Sequence, residues 1–348
     1  MALGTGSDPD EQFFRIGGVQ GFPDGSILVV DGGNRELRFF DSEGRLIRNV
    51  GGKGEGPGEF LEPALVQRVE TDSLLLWDTG LRRLQLFSED GLANRTVPLA
   101  GWPRGAGAKP PVGALRDRLL IQRTRVMTPS MFRTPGASVD SVSFVWLDPE
   151  TGDTTLFFAR TFPFYFADPP NLYLVALRIP PPGTVAEGGV LITGGTGPEV
   201  RRYGLDGKPL QILRIDTPDR PVTEEDLRAF VASQVTPEYV EEFLAVNRTM
   251  PLPEFLPWFD ELQVDEQGWV WAAIYQPDQS GPREWVLFDT DGRARGKVAT
   301  PVGLDVQWIG RDRVLGVWTD ELGVEYVHAY GLTRDLGATG ESEGTDLR

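Results

Sequence analysis

Five glycines and one lysine stand close together in the stretch VGGKGEGPGEF, residues 50–60, a composition that also occurs in phosphate-binding loops. A P-loop requires Ser or Thr directly after the lysine, whereas Lys53 is followed by Gly54. A dinucleotide-binding loop needs a third glycine at the position that Pro57 occupies, and the next residues, Phe60-Leu61-Glu62-Pro63, do not begin a helix. The spacing therefore favours a structural role for these glycines over phosphate binding.

Histidine and cysteine, which serve many nucleophilic and metal centres, are scarce. The chain has no cysteine, which excludes disulfides, thiol catalysis and cysteine-ligated metals. The one histidine, His328, excludes a multi-histidine metal centre and lies in the alternating segment EYVHAY, 325–330, with no serine elbow nearby. A hydrogen-bonded position in a strand is favoured for it over a catalytic triad.

The charge balance also narrows the function. The 348 residues carry a formal net charge of −17, and affinity for nucleic acid depends on clustered cations, so nucleic acid is not expected as a partner.

The most apolar runs, 162–167 and 172–182, are too short or too interrupted for a membrane span. The first residues, MALGTGSDPDEQ, show no cationic start and no apolar export region.

A repeated unit organises the elements around these residues. The segments SILVVDGGNRELRFFDSEGRLIRNV (26–50) and SLLLWDTGLRRLQLFSEDGLANRTV (73–97) align without a gap over 25 residues, at an offset of 47. Each contains an apolar strand ending in Asp, a polar turn, a strand ending in Phe and an acidic turn with Gly. Antiparallel strands with an internal period of about 40 to 50 residues are typical of a propeller.

Looser copies extend the pattern, and the expected fold is an all-β, six-bladed β-propeller in one domain, residues 1–335, followed by a polar tail at 336–348. The six predicted units are 12–51, 61–99, 112–161, 172–216, 259–300 and 303–332. The sixth unit lacks an outer strand, which the segment before Phe13 supplies if the ring closes.

The segments DGSILVVD (24–31), FDSEG (40–44) and GEGPGEF (54–60) resemble the NHL-type repeat of bacterial six-bladed propellers, and LGVWTDELGVEYVHAYGL (315–332) resembles the last blade of that group. The resemblance extends from about residue 8 to 332. It is specific for the fold and weak for activity, because the group includes scaffolds, ligand-binding proteins and some enzymes.

In a propeller, the glycine-rich segment 51–58 is the connector from the outer edge of blade one to the inner strand of blade two. Glycine suits this connector because side chains would obstruct the backbone path. It also sorts the loops. The turns between the first and second strands and between the third and fourth strands share one face and are all short. The long segments 100–111, 127–141, 161–171 and 216–258 belong to the opposite face, where we expect a ligand or partner to bind.

The insertion between blades four and five, about 217–258, is the one segment with helical periodicity. Thr223 precedes three acidic residues at a first helix start, and Thr236-Pro237 predicts a second start with Thr as N-cap and Pro at the first helical position. An amphipathic face usually covers a core, so a lid packed on the propeller is favoured over an exposed docking helix.

Calcium is the cofactor that the resemblance leaves open, because similar lactonase-like propellers hold Ca²⁺ in the central tunnel with Asp, Asn and Glu ligands. Asp31, Asn34, Asp78 and Glu199 lie near the relevant strand ends. An Asp at the end of the second strand is also the usual turn former of these repeats, and that role is favoured. No cofactor is therefore expected, with Ca²⁺ as the alternative.

Arginine and aromatic side chains are favoured in protein interfaces, and several lie on the decorated face or its insertion. The candidates for a binding rim are Arg35, Trp77, Arg82, Arg83, Arg123, Arg125, Arg133, Phe243 and Trp258. The competing expectation is that Arg35 and Arg82 pair with the neighbouring Asp31 and Asp78.

The sequence thus predicts a non-catalytic, protein-binding propeller that acts as a scaffold or accessory subunit of a larger assembly, with a membrane-associated complex as one candidate. The resemblance implies a leader upstream and a periplasmic or other extracytoplasmic location, with the cytoplasm as the alternative. The competing function is a Ca²⁺-dependent lactonase or esterase.

Overall fold

The structure is a computed structural model, and it describes residues 1–5, 12–70, 73–98, 111–115, 118–124, 133, 135–148, 151–169, 171–334 and 346–347. Its strands form six antiparallel sheets, here called blades one to six. After β1 (Ala2–Leu3), blade one contains β2 (Ile16–Gly21), β3 (Ile27–Asp31), β4 (Glu36–Phe40) and β5 (Leu46–Gly51). Blade two contains β6 (Pro63–Glu70), β7 (Ser73–Asp78), β8 (Arg83–Ser88) and β9 (Ala93–Pro98).

Blade three has five strands, β10 (Gly113–Leu115), β11 (Arg118–Thr124), β12 (Gly136–Leu147), β13 (Thr154–Asp168) and β14 (Asn171–Leu174). Blade four contains β15 (Gly183–Ala186), β16 (Gly189–Thr193), β17 (Glu199–Gly204) and β18 (Pro209–Arg214). Blade five contains β19 (Phe259–Val264), β20 (Val270–Ile274), β21 (Arg283–Phe288) and β22 (Ala294–Thr300). Blade six contains β23 (Leu304–Ile309), β24 (Arg313–Thr319) and β25 (Glu325–Thr333) together with β1.

The ring closes through the N-terminal segment, as the missing outer strand predicted. Ala2 of β1 lies opposite His328 of β25, and Leu3 lies opposite Val327. A short strand β26 (Asp346–Leu347) pairs with the other end of β25. Because the first and last parts of the chain share one sheet, the ring is held together by backbone hydrogen bonds across its closing point.

The side chains of the second strand of each blade point alternately towards the two neighbouring blades and form much of the hydrophobic core. In β3, Ile27 and Val29 pack against blade six, whereas Leu28 and Val30 pack against blade two. Successive side chains of a strand point to opposite faces, and both faces of a blade are covered by its neighbours. The middle residues of the second strands are therefore apolar, and one hydrophobic cluster fills each of the six gaps between blades.

The glycine-rich segment 51–58 is the predicted connector. Gly51 has φ +113° and Gly52 has φ +139°, values that favour glycine. A Cβ on Gly51 would stand 2.5 Å from the ring of Phe60, which is fully buried between blades one and two. The glycines thus let the backbone turn closely past a core side chain, which is the structural role expected for them.

Blade three differs from the predicted unit, which placed 161–171 in a loop and began blade four at residue 172. Strand β13 continues to Asp168, paired with the first half of β12, and β14 then folds back on it as a fifth strand. Blade four begins at Gly183. Both β12 and β13 are rich in aromatic and β-branched residues, and mutual pairing of long strands satisfies their backbone groups better than a loop would.

The insertion between blades four and five is helical, as predicted. Helix α1 (Glu224–Gln234) begins with a capping box in which Thr223 and Asp226 bond to each other's backbone N–H groups. The second start lies where it was predicted, with Thr236 at the N-cap position and Pro237 in the first turn. It opens a 3-10 helix (Pro237–Tyr239) without a side-chain cap from Thr236, and α2 (Val240–Asn247) follows. None of the described helices combines the length and apolar character needed to cross a membrane.

Candidate functional site

The two faces of the ring carry different connections. The upper face, as we call it, holds the connections between second and third strands and those between successive blades; the lower face holds the remaining turns. The long β12–β13 extension and the helical insertion both belong to the upper face by this topology. Of the predicted long segments 100–111 and 127–141, residues 100–110, 127–132 and 134 lie outside the described residues. The elaborated parts that are described thus rise from the upper face at blade three and between blades four and five.

The helical insertion packs on the propeller. Leu227 and Val231 of α1 and Leu244 of α2 form a buried cluster with Ala176 and Leu177 of the connection before blade four. This arrangement agrees with the lid that the amphipathic pattern predicted. The lid leaves an edge at its border with blade four, where a pocket forms.

This pocket, called the rim pocket below, lies between the lid, blade four and the base of the β13 extension. Its volume is about 80 Å³. Its walls are mostly apolar and include prolines from two connections. The lining residues are Arg160, Leu177, Arg178, Ile179, Pro181, Pro182, Thr193, Gly195, Thr196, Pro253, Phe255, Pro257 and Phe259.

Two arginines border the rim pocket. Arg160 of β13 donates a hydrogen bond to the backbone carbonyl of Gly194, and Arg178 donates one to the carbonyl of Pro251 at 3.5 Å. Neither forms an ion pair with any carboxylate among the described residues. Burial away from water lowers the pKa of Arg178 from its ordinary value. The pocket therefore has cationic groups at its edge that no acidic side chain in the described chain neutralises.

Thr193 supplies a polar atom inside the same pocket. It is the last residue of β16 and is only 3% exposed. Its hydroxyl makes no hydrogen bond within the described structure. A buried hydroxyl without a partner is costly and uncommon, so this position is a place where an occupant of the pocket would gain a hydrogen bond.

Two arginines predicted for a binding rim bond instead to backbone carbonyls. Arg35 donates to the carbonyl of Leu61 at 3.1 Å rather than pairing with Asp31, which pairs with Arg38 at 3.2 Å. This corrects the predicted Arg35–Asp31 pair. Its reason is local: Arg35 has φ +63°, which belongs to the turn and separates its side chain from the strand that carries Asp31.

Arg83 binds the glycine-rich connector. Its guanidinium donates to the carbonyls of Gly56 at 2.7 Å and Glu59 at 2.8 Å. The fully buried Gln85, two residues along β8, accepts from Gly58 N and donates to Glu59 O, both at 2.9 Å. Arg83 thus stabilises the connector between blades one and two.

The two predicted tryptophans are buried. Trp77 is 1% exposed and packs between blades two and three. Trp258 is 7% exposed, and the guanidinium of Arg220 lies 5.5 Å from its ring centroid. In this structure neither ring is presented to a partner on the surface.

The remaining predicted rim residues are spread over the upper face. Arg82 occupies a turn with φ +52°, and Asp78 beside it accepts backbone N–H groups. Arg123 is half-buried in β11, whereas Arg133 is exposed. Phe243 of α2 is 39% exposed. Arg125 lies outside the described residues. The structure does not gather these side chains into one pocket.

The carboxylates considered as calcium ligands have other partners. Asp78 is fully buried and accepts hydrogen bonds from the backbone N–H groups of Leu61, Glu62 and Leu81 at 3.0 to 3.1 Å. Asp31, also fully buried, accepts from Phe14 N, Asn34 N and Asn34 Nδ2. Both carboxylates therefore tie a turn to the connection from the preceding blade, in keeping with the predicted turn role.

Glu199 is neutralised by two arginines. Its Oε1 lies 2.7 Å from Arg201 Nη2, and its Oε2 bonds to Arg214. These partners lower the pKa of Glu199 although burial opposes them. No group of three or more metal-ligating His, Cys, Asp or Glu side chains occurs among the described residues.

The central tunnel is a cavity of about 1020 Å³, and its walls come from the inner strands. At blade five, Arg283 lies 2.8 Å from Asp260 Oδ1 and 2.9 Å from Glu261 Oε2. Burial raises the pKa of both carboxyl groups, and Arg283 opposes that shift. Glu261, which lines the tunnel, and its neighbour Asp260 thus share one cation.

His328 has the strand position that its sequence context predicted. Its ring stacks on Trp318 with the centroids 5.5 Å apart, and Nδ1 lies 3.2 Å from the hydroxyl of Tyr330. Burial lowers the pKa of the imidazole, so it is neutral at pH 7.

The residues of the rim pocket were not predicted as a site. Arg160 falls at the end of the predicted third unit and Thr193 in an apolar strand, neither of which is unusual in sequence. Arg178 offered one clue, because it interrupts the apolar run 172–182. Only the ring brings the three residues to one place.

The closed ring of six four- or five-stranded sheets around a tunnel defines the class: the protein is a six-bladed β-propeller. Residues 11–91, which span blades one and two, match the model of a family described as a 6-bladed beta-propeller, DUF5128. No curated protein sequence matches the chain.

Solved structures share the architecture. A DUF4221-family protein from Bacteroides vulgatus has 12% identity and a TM-score of 0.51, covering 92% of this chain and 94% of the other. A Bacteroides fragilis protein predicted to be exported has 13% identity, a TM-score of 0.48 and 94% coverage of both chains. The calcium-binding protein regucalcin from Agrobacterium tumefaciens has 13% identity and a TM-score of 0.38, covering 94% and 92%. These likenesses concern the fold alone.

Proposed function

We propose that this chain is a non-catalytic, protein-binding propeller that serves as a scaffold or accessory subunit of a larger assembly. The observation that carries the proposal is the concentration of elaboration on the upper face, where the β12–β13 extension and the helical lid rise from an otherwise regular ring. Loops and insertions on a rigid scaffold are the usual sites of recognition.

The surface of the lid supports a protein partner. Tyr239 and Phe243 are 51% and 39% exposed, although both belong to a segment whose other large apolar residue, Leu244, is fully buried. Aromatic side chains exposed on a well-packed element are favoured anchors in protein interfaces. The lid thus offers two rings that its own packing does not use.

Site-directed photo-crosslinking tests the proposal. A benzophenone amino acid replaces Phe243 on the upper face or, as the matched control, Leu92 in a lower-face turn, where Leu92 is 65% exposed. Irradiation of cells that make each variant should give one discrete covalent adduct from position 243 and none from position 92. Mass spectrometry then identifies the polypeptide.

A second substitution checks that the adduct reports binding. Tyr239→Ser should reduce the adduct formed from position 243 several-fold while the melting temperature stays within about 2 °C, because the ring is largely exposed. Equal ladders of adducts from both faces, or no adduct from either, would contradict a specific partner on the upper face.

A calcium-dependent lactonase or esterase remains the competing function, and the observation that favours it is the pair of adjacent carboxylates Asp260 and Glu261, of which Glu261 lines the tunnel. Metal analysis of the purified protein, combined with a panel of lactones and esters with and without EDTA, separates the two functions. Stoichiometric calcium with EDTA-sensitive turnover would replace the scaffold proposal.

The proposed location is extracytoplasmic, in keeping with the resemblance of the repeats at 24–31, 40–44 and 54–60 to those of bacterial six-bladed propellers. Expression of the natural gene followed by fractionation should recover the protein outside the cytoplasm. Recovery with cytosolic markers would overturn the location and would leave the binding proposal to the crosslinking test.

A further inference from the structure

The rim pocket combines three features that are unusual together. It is a small cavity with mostly apolar walls, it has two arginines without a carboxylate partner among the described residues, and it contains the buried, unbonded hydroxyl of Thr193. The unbonded buried hydroxyl has a physical cost, and an occupant with an apolar part and an anionic group would remove that cost while it contacts the walls and the arginines.

The arginines indicate an anion. The chain has 51 acidic and 34 basic residues, and several arginines have a carboxylate neighbour, as Arg283 has in Asp260 and Glu261. Arg160 and Arg178 each use one described hydrogen bond to a backbone carbonyl. A guanidinium has five N–H donors, so both retain donors for an incoming anionic group.

The pocket walls limit what that anion can be. Ile179, Pro181 and Phe255 are among the apolar side chains that line the space. A volume of about 80 Å³ is roughly half that of a cavity that accommodates benzene, which suits a short branched hydrocarbon group. A bare inorganic anion would leave these walls without contacts.

We propose that the rim pocket binds an apolar carboxylate, a short hydrocarbon group whose carboxylate lies against Arg160 and Arg178 and accepts a hydrogen bond from Thr193. Charge-assisted bonds from arginine to a carboxylate are stronger than neutral ones, and the hydrocarbon displaces water from the apolar walls. Such a ligand exists as a free acid and as the C-terminal residue of a polypeptide, and the two share the same chemistry.

This site goes beyond the proposed protein-binding function, because it assigns a ligand class to named residues and can be tested without the partner. Titration calorimetry compares 4-methylpentanoate with its neutral isostere 4-methylpentanamide. The carboxylate should bind at least about tenfold more tightly than the amide, and its affinity should fall as salt is raised from 50 to 500 mM. Inorganic phosphate should not compete.

Variants connect the binding to the residues. Arg178→Gln and, separately, Arg160→Gln should each weaken carboxylate binding about tenfold or more, and Thr193→Val, which keeps the shape of the side chain, should weaken it several-fold. Arg45→Gln is the control, because Arg45 is an exposed lower-face arginine and its loss should leave binding unchanged. Melting curves identify any variant that fails to fold, and Arg178→Lys, which keeps the charge, then replaces Arg178→Gln.

A peptide arm identifies the source of the ligand. A short peptide that ends in leucine with a free carboxylate is compared with the same peptide as a C-terminal amide. Tighter binding of the free-acid peptide than of 4-methylpentanoate assigns the site to a polypeptide C-terminus, and the reverse assigns it to a free acid. Equal binding of acid and amide, no binding of either acid, competition by phosphate, or unchanged binding in both arginine variants would overturn the proposal.

Discussion

The side-chain amide of Gln67 joins blade two to blade three. Its Oε1 accepts a hydrogen bond from the backbone N–H of Ala114 at 2.9 Å, and its Nε2 lies 3.4 Å from the carbonyl oxygen of the same residue. Gln20, at the corresponding position of β2, accepts from the backbone N–H of Arg68 in blade two at 3.3 Å. The inner strands of neighbouring blades are not paired as a sheet, so these amides replace some of the hydrogen bonds that a sheet would provide.

Gln67→Leu is therefore expected to destabilise the protein by about 1 to 3 kcal/mol, because the substitution leaves the N–H of Ala114, a buried residue, without an acceptor. Chemical denaturation at pH 7 measures the change. The control is Gln307→Leu, because Gln307 faces the tunnel but bonds to Asp305 of its own strand, and its loss should cost less than about 0.5 kcal/mol. Equal effects of the two substitutions would contradict a special role for the bonds between blades.

Arg83→Met tests the assignment of Arg83 to the connector. The substitution keeps much of the side-chain volume and removes the donors to Gly56 and Glu59. We expect a loss of about 1 to 2 kcal/mol in the free energy of unfolding and no change in the upper-face crosslink from position 243. A variant of normal stability that no longer forms the crosslink would instead indicate that Arg83 takes part in binding the partner.

Asp78→Asn tests the role of the buried turn carboxylates. One oxygen becomes an NH₂ group that faces backbone N–H donors, and a loss of about 2 kcal/mol is expected. EDTA should leave the melting temperature of the unmodified protein unchanged, because donors from the chain already occupy the carboxylates of Asp31 and Asp78. A melting temperature that falls with EDTA and recovers with Ca²⁺ would show that a metal stabilises the fold.

Arg283→Gln should destabilise the protein in a pH-dependent way. Burial raises the pKa of Asp260 and Glu261, and the substitution removes the cation that opposes this shift, so both pKa values rise further. A carboxyl group whose pKa is raised on folding favours the folded state while it is protonated and loses that contribution as pH rises through the folded pKa. The loss should therefore be about 2 to 3 kcal/mol at pH 7 and should shrink as pH falls towards 4.

Denaturation curves at pH 7, 5.5 and 4.5 measure this trend. Arg293→Gln is the control in the same blade, because Arg293 and Asp291 form an exposed pair that contributes little at any pH. A destabilisation by Arg283→Gln that stays constant over this range would mean that the lost hydrogen bonds, and not the buried charges, dominate.

The sequence was sufficient for the architecture because the information is local and repeated. The ungapped match between 26–50 and 73–97, with Asp and Gly at fixed turn positions, predicts four-stranded units, and their number predicts the closed ring. The capping box at Thr223 is equally local, since all its partners lie within three residues. The start at Pro237 was predicted, but its 3-10 form and the extra strand of blade three were not, because tertiary packing outweighs local propensity at these places.

The sequence by itself determined the repeated strands, the turns that join them and the scarcity of groups for nucleophilic or histidine-based metal chemistry. Tertiary structure alone decided which arginines bond to the backbone of a connector and which border a pocket. Arg160, Arg178 and Thr193 come from separate segments of the chain and lie close together only in the closed ring. Strand alternation and turn chemistry depend on residues that are close in sequence. Whether an arginine has a carboxylate partner depends instead on residues that are distant in sequence and that only the complete fold brings near it.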